Sequence, residues 1–432
     1  MSIAQEVAIT EMTEAQLDRN STVAIIGAGQ GGGETATLLR QNGFAGRILL
    51  IGDEPCLPYM RPPLSKAYLA REVTKDALVY KSAAAYEKAG VELRLGERVE
   101  KIDPQGKKLL LDDGAGFTYD KLVIATGGRA RPLPVPGAGL RNILFLRSIA
   151  DVETLQPLLV SGRRLIIVGG GYIGLEVAAV AVKRGLIVTV LESAPRVLAR
   201  VTAPALSEFY ERVHQEEGVD IRTGATVTGF LASHEDGAVG LVTCANGESF
   251  PADFVLIGIG LIPNTELATD AGLEVDDGIV VDHESRSSDR DIYAIGDCAS
   301  HAHHGFLHRK IRLESVPNAL EQARAVAASI TGRPIPAATA PWFWSDQYHL
   351  KLQMVGLSDG YEKLVIRGNP LASSFIVFYL KADGIIAADA VNRPGEFMAA
   401  KRLVGERMAI DPARLADDLI PIKALMMEAA PA

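Results

Sequence analysis

Two glycine runs are where this chain could hold a reactive cofactor. Gly27-Ala28-Gly29-Gln30-Gly31-Gly32 follows the apolar run Val23-Ala24-Ile25-Ile26 and precedes a helix-forming run over 34–40. Gly169-Gly170-Gly171-Tyr172-Ile173-Gly174 follows Leu165-Ile166-Ile167-Val168 and precedes a second helical run over 175–184, closed by Gly185. Each reads as strand, tight turn and helix. The first glycine permits the turn, the second lets a diphosphate approach the backbone, and the third lets helix and strand pack closely. The helix N-terminus then offers free N–H groups and a partial positive charge. One such run is weak evidence, an ordinary Gly-rich turn being the alternative. Two in the same context read as a duplicated dinucleotide fold, so two nucleotides are implied.

Carboxylates stand where each fold would grip a sugar. The strand over 47–51 leads to Asp53, and the strand over 186–191 ends on Glu192, both suited to a ribose hydroxyl. Glu192 would repel a 2′-phosphate, which favours NADH over NADPH. Arg196 and Arg200 leave the phosphate as the lesser case and are otherwise solvated charges. Asp297, at the end of a strand over 291–297, suits a ribityl hydroxyl of FAD or simply forms a turn. The loop Pro58-Tyr59-Met60-Arg61-Pro62-Pro63-Leu64-Ser65-Lys66 is stiffened by its prolines and leads into a helix expected over 64–70. It presents Arg61 and Lys66 to the first nucleotide, or else is a rigid surface loop with solvated cations.

The elements needed to position these groups define an α/β chain with two Rossmann-like dinucleotide-binding domains and a C-terminal α+β domain. Gly258-Ile259-Gly260-Leu261-Ile262-Pro263-Asn264 echoes Thr126-Gly127-Gly128, so the second unit is inserted in the first. The expected division is a flexible tail over 1–20, an FAD-binding domain over 21–125 and 258–332, an NADH-binding domain over 126–257, and a C-terminal domain over 333–432. Helices are expected over 203–217, 317–330 and 396–403, and strands over 375–380 and 385–391. Trp342 and Trp344 read individually as packing residues.

Composition removes several function classes. The chain has 432 residues, 48% hydrophobic and 22% charged, which fits two or three globular domains. No apolar run approaches the ~18 residues of a membrane span. The first twenty residues hold Glu6, Glu11, Glu14 and Asp18 against Arg19, unlike a signal peptide, so a cytoplasmic location is expected. A net charge of −9 argues against nucleic-acid binding. Cys56, Cys244 and Cys298 are scattered, which fits a reducing compartment without disulfide chemistry. His301, His303, His304 and His308 match no closed metal-site spacing, and no metal is expected.

Together these stretches resemble the FAD-dependent pyridine nucleotide reductases, with their glutathione-reductase-like fold, and within them the oxygenase-coupled ferredoxin reductases. The likeness runs from 21 to about 425 and includes Trp342-Phe343-Trp344-Ser345-Asp346-Gln347-Tyr348, outside the shared nucleotide motifs. The resemblance implies FAD on Gly27, Gly29, Gly31, Gly32, Asp53, Arg61, Lys66, Val99, Arg147, Asp297 and Val316. It implies NADH on Gly169, Gly171, Tyr172, Ile173, Gly174, Glu176, Glu192 and Gly260. Lys66 and Glu176 are then the pair beside the isoalloxazine, Lys66 stabilising charge on reduced flavin and Glu176 orienting the nicotinamide amide; a buried structural ion pair is the alternative. Hydride enters from NADH and leaves as single electrons to a [2Fe–2S] ferredoxin, an acidic, transient partner serving an oxygenase, of haem-thiolate type by the resemblance. Arg324 and Lys423 are implied as its basic contacts, with Trp344 near the electron path. A monomer or weak homodimer is expected. A flavin disulfide reductase or oxidase is the rival, yet the helix start that would carry its cysteine reads Leu64-Ser65-Lys66. An NADH redox sensor is the other.

Overall fold

The computed structural model describes residues 17–233, 237–302, 307–382, 384–428 and 430–431. Residues 1–16 of the tail expected over 1–20, together with His303 and His304, lie outside the described residues. Strands β1 (Thr22–Ile26), β2 (Arg47–Gly52), β3 (Val91–Leu95) and β4 (Lys121–Ile124) form a parallel sheet with Ile292–Ala294, ordered Ile292–Ala294, β4, β1, β2, β3. Both faces are covered, which is why its strands read as continuous apolar runs rather than alternating ones. Val23, Ile25, Ile48 and Leu50 pack under helices α1 (Gln30–Gln41) and Val316–Ile330. Ala24, Ile26, Leu49 and Ile51 pack against Val99, Ile102, Leu109 and Leu111 of a small antiparallel sheet.

A second parallel sheet repeats the plan. It comprises β5 (Arg164–Val168), β6 (Ile187–Glu192), β7 (Asp220–Thr223) and β8 (Phe254–Ile257), ordered β7, β6, β5, β8 and then the short strand Ile143–Leu144. Helix α2 (Tyr172–Lys183) lies on one face, with Val177, Ala178 and Ala181 against Leu165, Ile167, Val188 and Val190. The two chain crossings between the sheets pair with each other, Gly128–Ala130 running antiparallel to Leu261–Pro263.

C-terminally, β9 (Trp342–Gln347), β10 (Leu350–Gly356), β11 (Lys363–Asn369), β12 (Ser374–Lys381) and β13 (Gly384–Val391) make an antiparallel sheet ordered β9, β10, β13, β12, β11. One face carries the helix Pro394–Gly405. The other buries Leu350, Leu352, Phe375 and Val377 against Leu206, Phe209 and Val213 of α3 (Pro204–Glu216), locking this sheet to the second nucleotide unit.

Two expectations need correction. Both nucleotide helices begin earlier than propensity suggests, at Gln30 and Tyr172, because Gly29 and Gly171 serve as N-caps and tertiary packing overrides the low helix propensity of glycine. The helix expected over 64–70 is instead a 3₁₀ turn, Pro62–Ser65, followed by further turns. The backbone of Lys66 leaves the helical region, at φ −130 and ψ −114.

Candidate functional site

The glycine runs build two matching cradles. Gly27 and Gly169 turn at φ +107 and +108, where a Cβ would strike the carbonyl of Ala125 at 2.2 Å or of Gly258 at 2.4 Å. A Cβ on Gly32 or Gly174 would strike the carbonyl oxygen of Gly27 or Gly169 at 2.1 and 2.2 Å. Gly29 and Gly171 would meet nothing within 4 Å. With glycine as the N-cap, these helix starts therefore open into free space with N–H groups unpaired by any side chain.

That space is one cavity of ≈ 2010 Å³ shared by both cradles, about twice the ~1,000 Å³ upper range of a single small-molecule pocket. Its walls include Gly27, Gly29, Gly31, Asp53, Arg61, Lys66, Val99, Arg147, Asp297 and Val316 on the first side. On the second side they include Gly169, Gly171, Tyr172, Ile173, Glu176, Glu192 and Gly260. Gly32 and Gly174 do not line it; their part is to let helix and strand close up. The cavity fits two dinucleotides in chemistry as well as size. Gln30 Oε1 and Arg147 Nε on its wall are buried without a partner among the described residues, and Asp53 is exposed with no described partner.

Other groups at the wall are already engaged. The guanidinium of Arg61 donates to Glu54 Oε1 and to the Arg147 carbonyl, both at 2.6 Å. Arg147 pairs with Asp297 at 2.7 Å. Glu192 accepts from the amides of Gly170 at 2.7 Å and Ala194 at 2.8 Å, so it ties the second glycine turn to its strand end. Arg196 is consumed locally by Ser207 Oγ and the Ala199 carbonyl, whereas Arg200 is exposed at the wall.

Between the cradles Lys66 Nζ meets Glu176 Oε2 at 2.7 Å. Glu176 is 2% exposed, yet it accepts two further hydrogen bonds, from Ser65 Oγ at 2.5 Å and Ser345 Oγ at 2.6 Å. A buried carboxylate must be satisfied in this way or carry a large desolvation cost. The two serines escaped sequence reasoning because no spacing relates 65, 176 and 345. A second buried acid at the wall, Asp389, accepts from Tyr379 OH at 2.5 Å and Thr202 Oγ1 at 2.8 Å. Burial pushes its carboxyl up to about 6.

Trp344 also lines the cavity, half-buried and 5.6 Å from Trp342 ring to ring. Arg324 and Lys423 are exposed and lie off the cavity wall. Among the described residues no group of three His, Cys, Asp or Glu is placed to hold a metal, and no helix is long and apolar enough to cross a membrane. His301 faces Gln322 Nε2 at 3.1 Å.

Comparison with known proteins places the chain in a family. Residues 21–323 match the family model described as pyridine nucleotide-disulphide oxidoreductase, and 342–426 match the reductase C-terminal model. Putidaredoxin reductase CamA of Pseudomonas putida is 46% identical over 416 residues, covering 96% of this chain and 98% of that relative. Rhodocoxin reductase of Rhodococcus erythropolis is 42% identical, covering 93% of each chain. The solved covalent putidaredoxin reductase–putidaredoxin complex matches with a TM-score of 0.93 at 47% identity, over 95% of this chain and 99% of that one.

Proposed function

The chain belongs to the pyridine nucleotide-disulphide oxidoreductase family, and from that premise we propose that it reduces a [2Fe–2S] ferredoxin with NADH, in a system ending in a haem-thiolate monooxygenase. It is an FAD-dependent oxidoreductase that takes a pyridine nucleotide. One observation carries the reading within the family: the Lys66–Glu176 pair stands on the cavity wall between the cradles, and no cysteine is among the described lining residues. The stretch in which a disulfide reductase would carry a reactive thiol reads Leu64-Ser65-Lys66 here.

Gly27, Gly29 and Gly31 with Asp53 and Asp297 would hold FAD, which when bound would supply the passage from a two-electron hydride donor to two one-electron transfers, the proton being released. Arg61 and Arg147 fix the loop and strand ends around it, Arg61 through Glu54 and Arg147 through Asp297. Gly169, Gly171, Ile173 and Gly260 line the NADH side, and Glu192 offers its remaining lone pairs to the ribose. Lys66 places an ammonium where negative charge develops, and Glu176 fixes that ammonium and orients the nicotinamide amide. The division into 21–125 with 258–332, 126–257 and 333–432 is supported by the three sheets.

Anaerobic stopped-flow absorbance tests the reading. Mixing with NADH should bleach an oxidised-flavin band rapidly, and a [2Fe–2S] ferredoxin should then be reduced promptly, two per NADH. Bleaching without onward transfer would move the function to an oxidase or redox sensor, and absence of a flavin band after reconstitution would overturn it.

A further inference from the structure

We propose that Ser345, reaching in from the C-terminal sheet, is a positioning residue for Glu176, and that a directed hydrogen-bond chain through Gln347 and His214 to Tyr348 holds it in place. The role given to Glu176 rests on the function proposed above; the chain itself rests on geometry alone.

Each link has one consistent direction. A carboxylate paired with Lys66 only accepts, so Ser345 Oγ donates to Glu176 Oε1 at 2.6 Å. The lone pairs of Ser345 take an N–H from Gln347 Nε2 at 3.1 Å. Gln347 Oε1 must then accept, at 2.8 Å, from His214 Nε2, which makes His214 the Nε2–H tautomer. Its Nδ1 is left as an acceptor and accepts a hydrogen bond from the Tyr348 hydroxyl at 2.9 Å. Ser345, Gln347 and His214 are each 1% exposed or less. Because an amide does not readily relay protons, the chain orients the carboxylate and conducts nothing.

The backbone at the outer end supports the same reading. Tyr348 sits in the two-residue turn between β9 and β10 at φ +55, a conformation that costs energy for a bulky side chain. The side chain gains from it a hydroxyl contact and an edge-on ring contact with His214, centroids 5.0 Å apart. The chain thus ties together three parts of the molecule: the proline loop at Ser65, the second nucleotide unit at Glu176 and His214, and the C-terminal sheet at Ser345 and Gln347.

The test compares Ser345→Thr with Ser345→Val in the holoprotein. The two add equal volume, and the threonine alone keeps the hydroxyl. The Val variant should lose ~10-fold in the rate constant of flavin reduction by NADH, with the apparent Kd for NADH within about twofold, and Thr should stay near wild type. A readout independent of turnover comes from ¹⁵N spectra of histidine-labelled protein, assigned with His214→Gln: His214 should show Nε2–H across the neutral range. Tyr348→Phe, which removes only the last donor, should leave flavin bound and His214 still Nε2–H, because Gln347 Oε1 goes on accepting from Nε2. Equal hydride rates for Val and Thr would overturn the positioning role, and an Nδ1–H tautomer in wild type would overturn the chain. If NADH fails to bleach wild type, the proposed function falls instead, while the tautomer still decides the chain.

Discussion

Glu192 binds its own turn before it binds any ligand. With both oxygens engaged by the amides of Gly170 and Ala194, it sets the shape of the second cradle as well as its charge. Glu192→Ala should therefore weaken NADH by about tenfold, the worth of one charge-assisted hydrogen bond, and narrow the preference over NADPH. Equilibrium titration with both nucleotides checks this, and an unchanged ratio would remove Glu192 from the ribose site. Two buried groups set an opposing pair of pH responses. Asp389 titrates near 6 in the fold against 3.8 unfolded, because burial disfavours its charge. The native state holds the extra proton between those values, so stability falls by roughly 3 kcal/mol as pH rises from about 4 to 6. Burial depresses His214 from 6.5 to about 4. Here the unfolded chain holds the proton, so stability rises by roughly 3 kcal/mol as pH climbs from about 4 to 6.5. The two largely cancel in wild type. Asp389→Asn should leave a melting temperature that climbs steeply between pH 4 and 6, and His214→Gln one that falls; flat profiles in both would contradict the burial argument.

At the scale of elements, the two glycine turns separate folding from binding within a few residues. Gly27→Ala places a methyl on a carbonyl at φ +107 and should abolish folded protein. Gly29→Ala meets no protein atom within 4 Å; it should fold normally and lose flavin about tenfold more readily, the methyl intruding where the diphosphate approaches. Melting curves and flavin retention separate the two, and similar behaviour of both would refute this division. This unit was legible in the sequence because it is local: an apolar strand buried on both faces, three glycines and a helix lie within about twenty residues. Asp53, Glu192, Lys66 and Glu176 were likewise reachable from the motif or the resemblance it supports, and all line the cavity. What stayed illegible is made by contact between units. Ser65, Ser345 and Asp389 join the site only when the proline loop, α2 and the C-terminal sheet close together, and no period in one segment records that. Arg367 is another such case. A strand residue in an alternating pattern, it is 1% exposed and held by Glu396 at 2.9 Å and by the Ile420 carbonyl at 2.7 Å. Arg367→Met leaves the Ile420 carbonyl without its donor while Glu396 keeps Arg393 at 2.7 Å, and should cost roughly 1–3 kcal/mol, as a buried acceptor left unpaired does, read as a lower melting temperature.

For the molecule as a whole, the difficulty is long-range charge. If the proposed partner is an acidic ferredoxin, a chain of net charge −9 repels it at a distance, and association would depend on a small basic area at the point of contact. Arg324 is exposed on the helix Val316–Ile330 and Lys423 on the helix Ile422–Glu428. Trp344 adjoins both the large cavity and a smaller one, ≈ 320 Å³, walled by Lys66 and Asp346. At 0.1 M salt the Debye length is about 10 Å, so salt weakens the attraction of that area and the repulsion of the whole chain by different amounts. If the local attraction governs encounter, the second-order rate constant for ferredoxin reduction falls with added salt in wild type. Reversing both charges, Arg324→Glu with Lys423→Glu, leaves only repulsion, and the same rate constant should then be lower at low salt, by ~10-fold, and rise as salt is added. Flavin reduction by NADH should be the same in both proteins, since neither residue lines the cavity. If Trp344 lies near the electron path and so acts after encounter, Trp344→Ala should behave differently again, lowering the saturated rate of ferredoxin reduction with little change in salt slope. A salt slope of unchanged sign in the double variant would take Arg324 and Lys423 out of the docking surface and require another basic area to overcome the repulsion.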